Sequence, residues 1–135
     1  MHKIYKGEKL YHCYFNVDEY PEGRFDATDA GEYLQCAIIN MDDGKEFDPH
    51  VHIPCERTTD TTQEAWVVLK GKIKITYYDE DQNQMDEPAI VSAGGCTISF
   101  WGGHKYECLE DGTVVYEFKS GPYFGKDADK VVFSD

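Results

Sequence analysis

The chain has 135 residues, 41% hydrophobic and 29% charged, which is room for one domain with one sizeable core. Its 13 Lys and Arg against 26 Asp and Glu leave a net charge of −13. That balance argues against nucleic acid or an anionic membrane surface as a partner, because phosphate backbones are bound by clustered Lys and Arg, and it otherwise reads as solubility.

The cysteines are Cys13, Cys36, Cys55, Cys96 and Cys108, an odd number with no Cys-x-x-Cys. The first residues lack the apolar run of a signal peptide, and no stretch approaches the roughly 20 apolar residues of a membrane-spanning helix. These features predict a cytoplasmic protein with free thiols. Cys36 and Cys96 sit in apolar runs and read as core residues, while Cys55 lies in a loop within reach of the candidate site.

In chain order, residues 3–15 predict one or two edge strands, and residues 16–32, with Pro21, Gly23 and Gly31, predict a polar connection. Residues 33–40 predict a strand, closed by the hairpin-like turn Met41-Asp42-Asp43-Gly44. Residues 45–53 predict a strand and residues 54–62 a polar loop carrying Glu56, Arg57 and Asp60. A strand over 63–69, a tight turn at Gly71 and a strand over 72–78 follow, the last with Ile73, Ile75 and Tyr77 on one face. A turn over 79–84, a short strand over 89–91 and a turn over 92–95 lead to strands over 96–101, 105–109 and 113–118. The tail over 120–135 is expected to cross the outside. No stretch of ten residues keeps a helical period. Short strands with turn signals every 8–12 residues predict an all-β sandwich or barrel.

The spacing from Gly44 to Gly71 carries the chemistry. His50 and His52, at i and i+2, would project from one face of a strand. Glu64 heads the next strand, and His104 lies on a later one, after Gly102-Gly103. Together they make a candidate metal set of three imidazoles and a carboxylate, with Glu56 as the rival carboxylate. Such a set suits Fe, Mn, Ni, Zn or Cu without choosing among them. Trp66, Tyr77, Phe100, Tyr106 and Tyr116 are candidates to line the interior, and Arg57 is a candidate to hold a substrate carboxylate or phosphate. The sequence contains no Ser-His-Asp arrangement, phosphate-cradling glycine loop or basic stripe that points elsewhere.

These residues resemble the cupin superfamily, small jelly-roll barrels with two sequence motifs. Gly44, His50, His52, Glu64 and Gly71 match the first motif in order, with eleven residues instead of three or four between His52 and Glu64. In the second motif, Gly94, Gly102 and His104 can be placed; Phe100 stands at the proline position and Cys108 where the motif has Asn. The resemblance runs from about residue 33 to 118. The ending, Lys119-Ser120-Gly121-Pro122-Tyr123 and then Asp129-Lys130-Val131-Val132-Phe133, looks like a group of small single-domain bacterial cupins without a settled activity.

The resemblance implies a double-stranded β-helix spanning residues 1–135 as one domain, with a barrel core over 33–118, an N-terminal strand arm over 1–32 and a tail over 119–135. It implies a divalent transition metal held by His50, His52, Glu64 and His104. Three functions are then open: a metal-dependent enzyme that isomerises or oxygenates a small polar substrate such as a sugar or keto acid, a non-catalytic small-ligand or metal-binding module, and a structural or storage protein with a vestigial site. A homodimer paired through sheet edges, with residues 1–15 as the exposed edge, is the expected assembly.

Overall fold

The computed structural model describes residues 1–20 and 22–134. Pro21 and Asp135, which the sequence reading places in the connection and the tail, lie outside the described residues. The chain is all-β with antiparallel pairing throughout. The strands are β1 (His2–Lys6), β2 (Lys9–Phe15), β3 (Arg24–Asp26), β4 (Ala37–Ile39), β5 (Glu64–Lys70), β6 (Lys72–Tyr78), β7 (Ala89–Ser92), β8 (Cys96–Ser99), β9 (Gly103–Cys108) and β10 (Val114–Lys119). A single helical turn, α1 (Lys126–Asp129), lies in the tail.

Three sheets result: β1-β2-β8-β5-β10, β7-β6-β9 and the hairpin β3-β4. The expected closed barrel is not formed by the described residues. Residues 1–15, expected as an arm, are built into the main sheet: β1 is its edge, and β2 lies inside, between β1 and β8.

Period-two alternation divides the main sheet between two cores. Cys13, Phe15, Ala65, Cys96 and Ile98 face one way and pack with Leu34, Cys36 and Ile38 near the β3-β4 hairpin. Trp66, Val68 and Val115 face the other way, toward Ile73, Ile75 and Tyr77 of the three-stranded sheet. Phe100, a candidate for the interior, belongs to the hairpin-side core, and Tyr116 is exposed on the edge strand β10. The expected inward alternation on residues 72–78 is present: Ile73, Ile75 and Tyr77 are buried.

The largest departure from the sequence reading is residues 40–62. The turn before Gly44 is present, closed by Lys45 N–H to the Asp42 carbonyl at 3.2 Å, but residues 45–53 form no strand. The strand expected over 33–40 is reduced to Ala37–Ile39. Pro49 and Pro54 each remove a ladder donor, and Lys45, Glu46 and Asp48 favour water. The segment lies open, with Val51 90% and Ile53 85% exposed.

Gly102 sets the entry into β9. Its φ is +71°, and a Cβ there would collide with the carbonyl oxygen of Tyr78. Gly102→Ala is therefore expected to cost at least about 2 kcal/mol, against about 1 kcal/mol for Gly112→Ala, which shares the positive φ but where a Cβ would meet the flexible Lys70 Nζ at an ordinary contact distance of 3.7 Å. Denaturant unfolding of the two variants checks the difference.

Candidate functional site

Two residues forty apart in sequence meet between the sheets. Glu64 starts β5 of the main sheet and His104 follows the first residue of β9 in the three-stranded sheet. His104 Nε2 stands 3.1 Å from Glu64 Oε1. Glu64 is buried, 6% exposed, whereas Glu56, the rival carboxylate, lies exposed in the segment before β5. Burial pushes the Glu64 carboxyl up, but the hydrogen bond and charge of His104, with Lys130 and Lys119 nearby, outweigh it and hold the group below the usual range. Glu64 is thus ionised at neutral pH and accepts the Nε2–H of His104.

A second rung lies beneath this pair. Two residues along each strand, Trp66 and Tyr106 stack with ring centroids 3.8 Å apart, and the His104 and Tyr106 rings are 4.8 Å apart. Three buried polar atoms in these rings have no hydrogen-bond partner: Trp66 Nε1, His104 Nδ1 and the Tyr106 hydroxyl. Burial and the charge of Glu64 push the Tyr106 phenol well above its ordinary range, so it stays O–H. Leaving such atoms unpaired costs about 1–3 kcal/mol each, so natural interiors rarely hold three together without a ligand or water to meet them.

The sequence reading missed His12 and Ser99. Register places Ile4, His12, Ser99, Glu64 and Lys119 in one row across the main sheet. His12 is fully buried. Its Nε2 lies 3.2 Å from the Tyr78 carbonyl, and its Nδ1 lies 3.0 Å from Ser99 Oγ. A carbonyl only accepts, so Nε2 carries the proton and Nδ1 accepts from the Ser99 hydroxyl. This ties the two sheets together beside the Glu64–His104 pair, as does the 2.7 Å hydrogen bond between the Tyr77 and Thr97 hydroxyls. The signal in the sequence was the histidine within the strand of 3–15, but its meaning depends on a strand order that local patterning does not reveal.

A cavity of about 370 Å³ opens at the pair, lined by Glu64, Gly103 and His104, by Asp79 and Glu80 after β6, and by the tail through Asp129, Lys130, Val131 and Phe133. The tail does not simply cross the outside: Thr62 Oγ1 donates to Asp129 at 3.2 Å, and Phe133 meets Tyr78 edge-to-face at 5.1 Å.

His50 and His52 do not join this site. They lie on the open segment, their rings 5.3 Å apart and nearly perpendicular, with His50 Nδ1 3.0 Å from the Asp48 carbonyl. Cys55 and Arg57 share the exposed segment. Among the described residues, no three His, Cys, Asp or Glu side chains stand together as metal donors. Glu64 and His104 are the right donor types for a transition metal, but in this conformation they face each other, and two of the four expected donors are elsewhere. The described arrangement does not fit a bound metal.

No protein-family model, curated protein or solved structure matches the chain. Among the described residues, no helix is long and apolar enough to cross a membrane.

His12 supplies a test of the interior. Burial, aided by the nearby charge of His104 and opposed by the Tyr78 hydrogen bond, lowers its pKa from 6.5 to about 4. Ser99, Tyr77 and His104 are the polar groups that face it. The unfolded chain takes up this proton first, so the stability His12 contributes is complete above pH 6.5 and is lost as pH falls from 6.5 toward 4. The loss is about 3 kcal/mol over the window. Unfolding free energies at pH 7 and pH 4.5 should show a steeper fall for the wild type than for His12→Gln.

Proposed function

We propose that this chain is a small cupin that takes a small polar molecule at the Glu64–His104 pair. The observation that carries the reading is the pair itself, a buried carboxylate and an imidazole from two facing sheets at the head of a cavity. An ionised Glu64 beside an imidazole N–H is a proton acceptor next to a proton donor, which suits proton transfer at a bound hydroxyl or carbonyl. The stacked Trp66 and Tyr106 rings beneath would shield one side of that exchange from bulk water. Catalysis and simple binding share this geometry, and turnover separates them.

A screen of sugars, keto acids and thiols by ligand-observed NMR tests the reading. Compounds that bind the wild type should bind His104→Asn at least about tenfold more weakly, the scale of one lost charge-assisted hydrogen bond. Binding that His104→Asn leaves unchanged would move the site elsewhere.

One observation favours a second reading, in which a divalent transition metal completes the site. Glu64 and His104 are two ligands that the cupin resemblance implies, and they come together from separate strands. The metal would be Fe, Mn, Ni, Zn or Cu, held by Glu64, His104, His50 and His52 once residues 45–53 leave their open course. It would supply Lewis acidity or bind oxygen. Elemental analysis of protein purified without chelator decides: near one equivalent, lost in both Glu64→Gln and His50→Ala, supports the metal. No retained metal after reconstitution leaves the first reading alone. Pairing of two copies through the free edge of β1 belongs to the same proposal, and molar mass in solution checks it.

A further inference from the structure

We infer that Cys36 and Cys96 form a peroxide-responsive thiol pair, which closes to a disulfide that fastens the β3-β4 hairpin to the main sheet. The pair lies in the hairpin-side core, on the face of the main sheet opposite Glu64, and does not depend on the Glu64–His104 site. Three free thiols meet in that core. Cys13 and Cys96 are buried in it, and Cys36 packs against it.

Their placement selects the pair. Cys96 opens β8 and pairs with Phe15 of β2 and Val67 of β5, so its backbone is held on both sides. Cys36 immediately precedes β4. Its N–H donates to Thr28 Oγ1 at 2.9 Å, and its carbonyl accepts from the Ala27 N–H at 2.9 Å. Ala27 is fully buried in the same core as Cys96, so the hairpin carries Cys36 over the sheet. The Cys36 and Cys96 thiols stand near enough for each to alter the other's proton affinity. Cys13 is the poorer partner for Cys96. Register pairs it with Ile98, and such diagonal neighbours on adjacent strands lie about 7–8 Å apart, beyond the Cα reach of a disulfide. A thiol from a facing layer is not held to that spacing.

Access and proton affinity assign the roles. Cys36 is half-buried, whereas Cys13 and Cys96 are 0% and 3% exposed, so a small hydroperoxide reaches Cys36 first. The Cys96 thiol lowers the Cys36 pKa against the effect of burial. The same contact, with burial, raises that of Cys96, and burial pushes Cys13 up to about 12. The Cys36 thiolate attacks one peroxide oxygen. An S–O bond forms, the O–O bond breaks, and the departing alkoxide or hydroxide takes up the proton that Cys36 released. Cys36 is then a neutral sulfenic acid, which removes the contact that most raised Cys96. The Cys96 sulfur attacks the Cys36 sulfur. The S–S bond forms, the S–O bond breaks, and hydroxide leaves as water with the Cys96 proton. Two thiols lose two electrons, and the hydroperoxide is reduced to an alcohol and water.

Trypsin makes the pairing readable. Cleavage after Lys9, Arg24, Lys45, Arg57, Lys74, Lys105 and Lys119 puts every cysteine on its own peptide, with Cys36 on 25–45 and Cys96 on 75–105. The wild-type protein is treated with roughly ten equivalents of hydrogen peroxide and quenched with N-ethylmaleimide in denaturant. Its monomeric fraction is then digested without reductant. The expected product is 25–45 linked to 75–105, split by dithiothreitol and at least about tenfold more abundant than any other cysteine pairing. In Cys96→Ala, dimedone is expected to capture a sulfenic acid at Cys36. The bond closes a loop over residues 36–96, so the oxidised protein is expected to melt at least about 5 °C above the reduced one.

Peptides 25–45 and 75–105 that both carry maleimide after the exposed Cys55 and Cys108 have oxidised overturn the pair. Linkage of 25–45 to 10–24, which carries Cys13, overturns the choice of Cys96. A linked protein that melts no higher than the reduced one overturns the fastening. The peptide map needs no variant, so a Cys96→Ala protein that fails to fold leaves the test standing.

Discussion

A carboxylate buried between two β-sheets must be paired, and in this protein that requirement links one sheet to the other. Glu64 is carried by the main sheet and His104 by the three-stranded sheet, and neither strand pairs with the other's sheet. An ionised group in that position without its partner would carry a desolvation cost of several kcal/mol. The surroundings fix the geometry in which the two meet. The His12 bridge holds the Tyr78 carbonyl to β2 and β8, Gly102 lets the chain pass that same carbonyl into β9, and Lys119 and Lys130 supply positive charge behind the carboxylate.

The two faces of the main sheet serve different ends. The hairpin side is closed with apolar residues and thiols, including Cys13, Cys96, Ile98 and Phe100, and is a packing core. The other side mixes apolar residues with His12, Thr97, Ser99, Glu64 and Tyr77. An interior meant only for stability would fill these positions with aliphatic side chains, because each polar group there must find a partner or bear a cost. His12, Ser99, Thr97 and Tyr77 find theirs within the protein. Trp66, Tyr106 and one nitrogen of His104 do not; Trp66 and Tyr106 pack against the cluster of Val68, Ile73 and Ile75, and of the three residues His104 lines the cavity.

How much of this was legible in the sequence follows from what is local. Alternation in residues 72–78 makes the buried face of β6 legible, and the glycine at Gly71 marks the turn between β5 and β6, although the two strands enter different sheets; a glutamate at the head of the strand running into that turn points to Glu64. His104 was legible through the glycines before it. His-x-His suits one face of a strand over residues 45–53, yet a strand exists only where an edge accepts it, and two prolines and three charges leave this segment in water. His12 was invisible as a site residue because its role depends on β2 lying beside β8, a pairing between residues more than eighty apart. The sequence predicts a tail that crosses the outside, whereas the contact of Phe133 with Tyr78 and of Asp129 with Thr62 makes it a wall of the cavity.

The central claim is that Glu64 and His104 act as one unit across the sheets, and a double-mutant cycle measures that coupling directly. Unfolding free energies of the wild type, Glu64→Gln, His104→Asn and the double variant should give a coupling of about 1–3 kcal/mol, the scale for a buried charge-assisted hydrogen bond. Additivity within about 0.5 kcal/mol would contradict the account, because it would mean that the two side chains stand near each other without depending on each other.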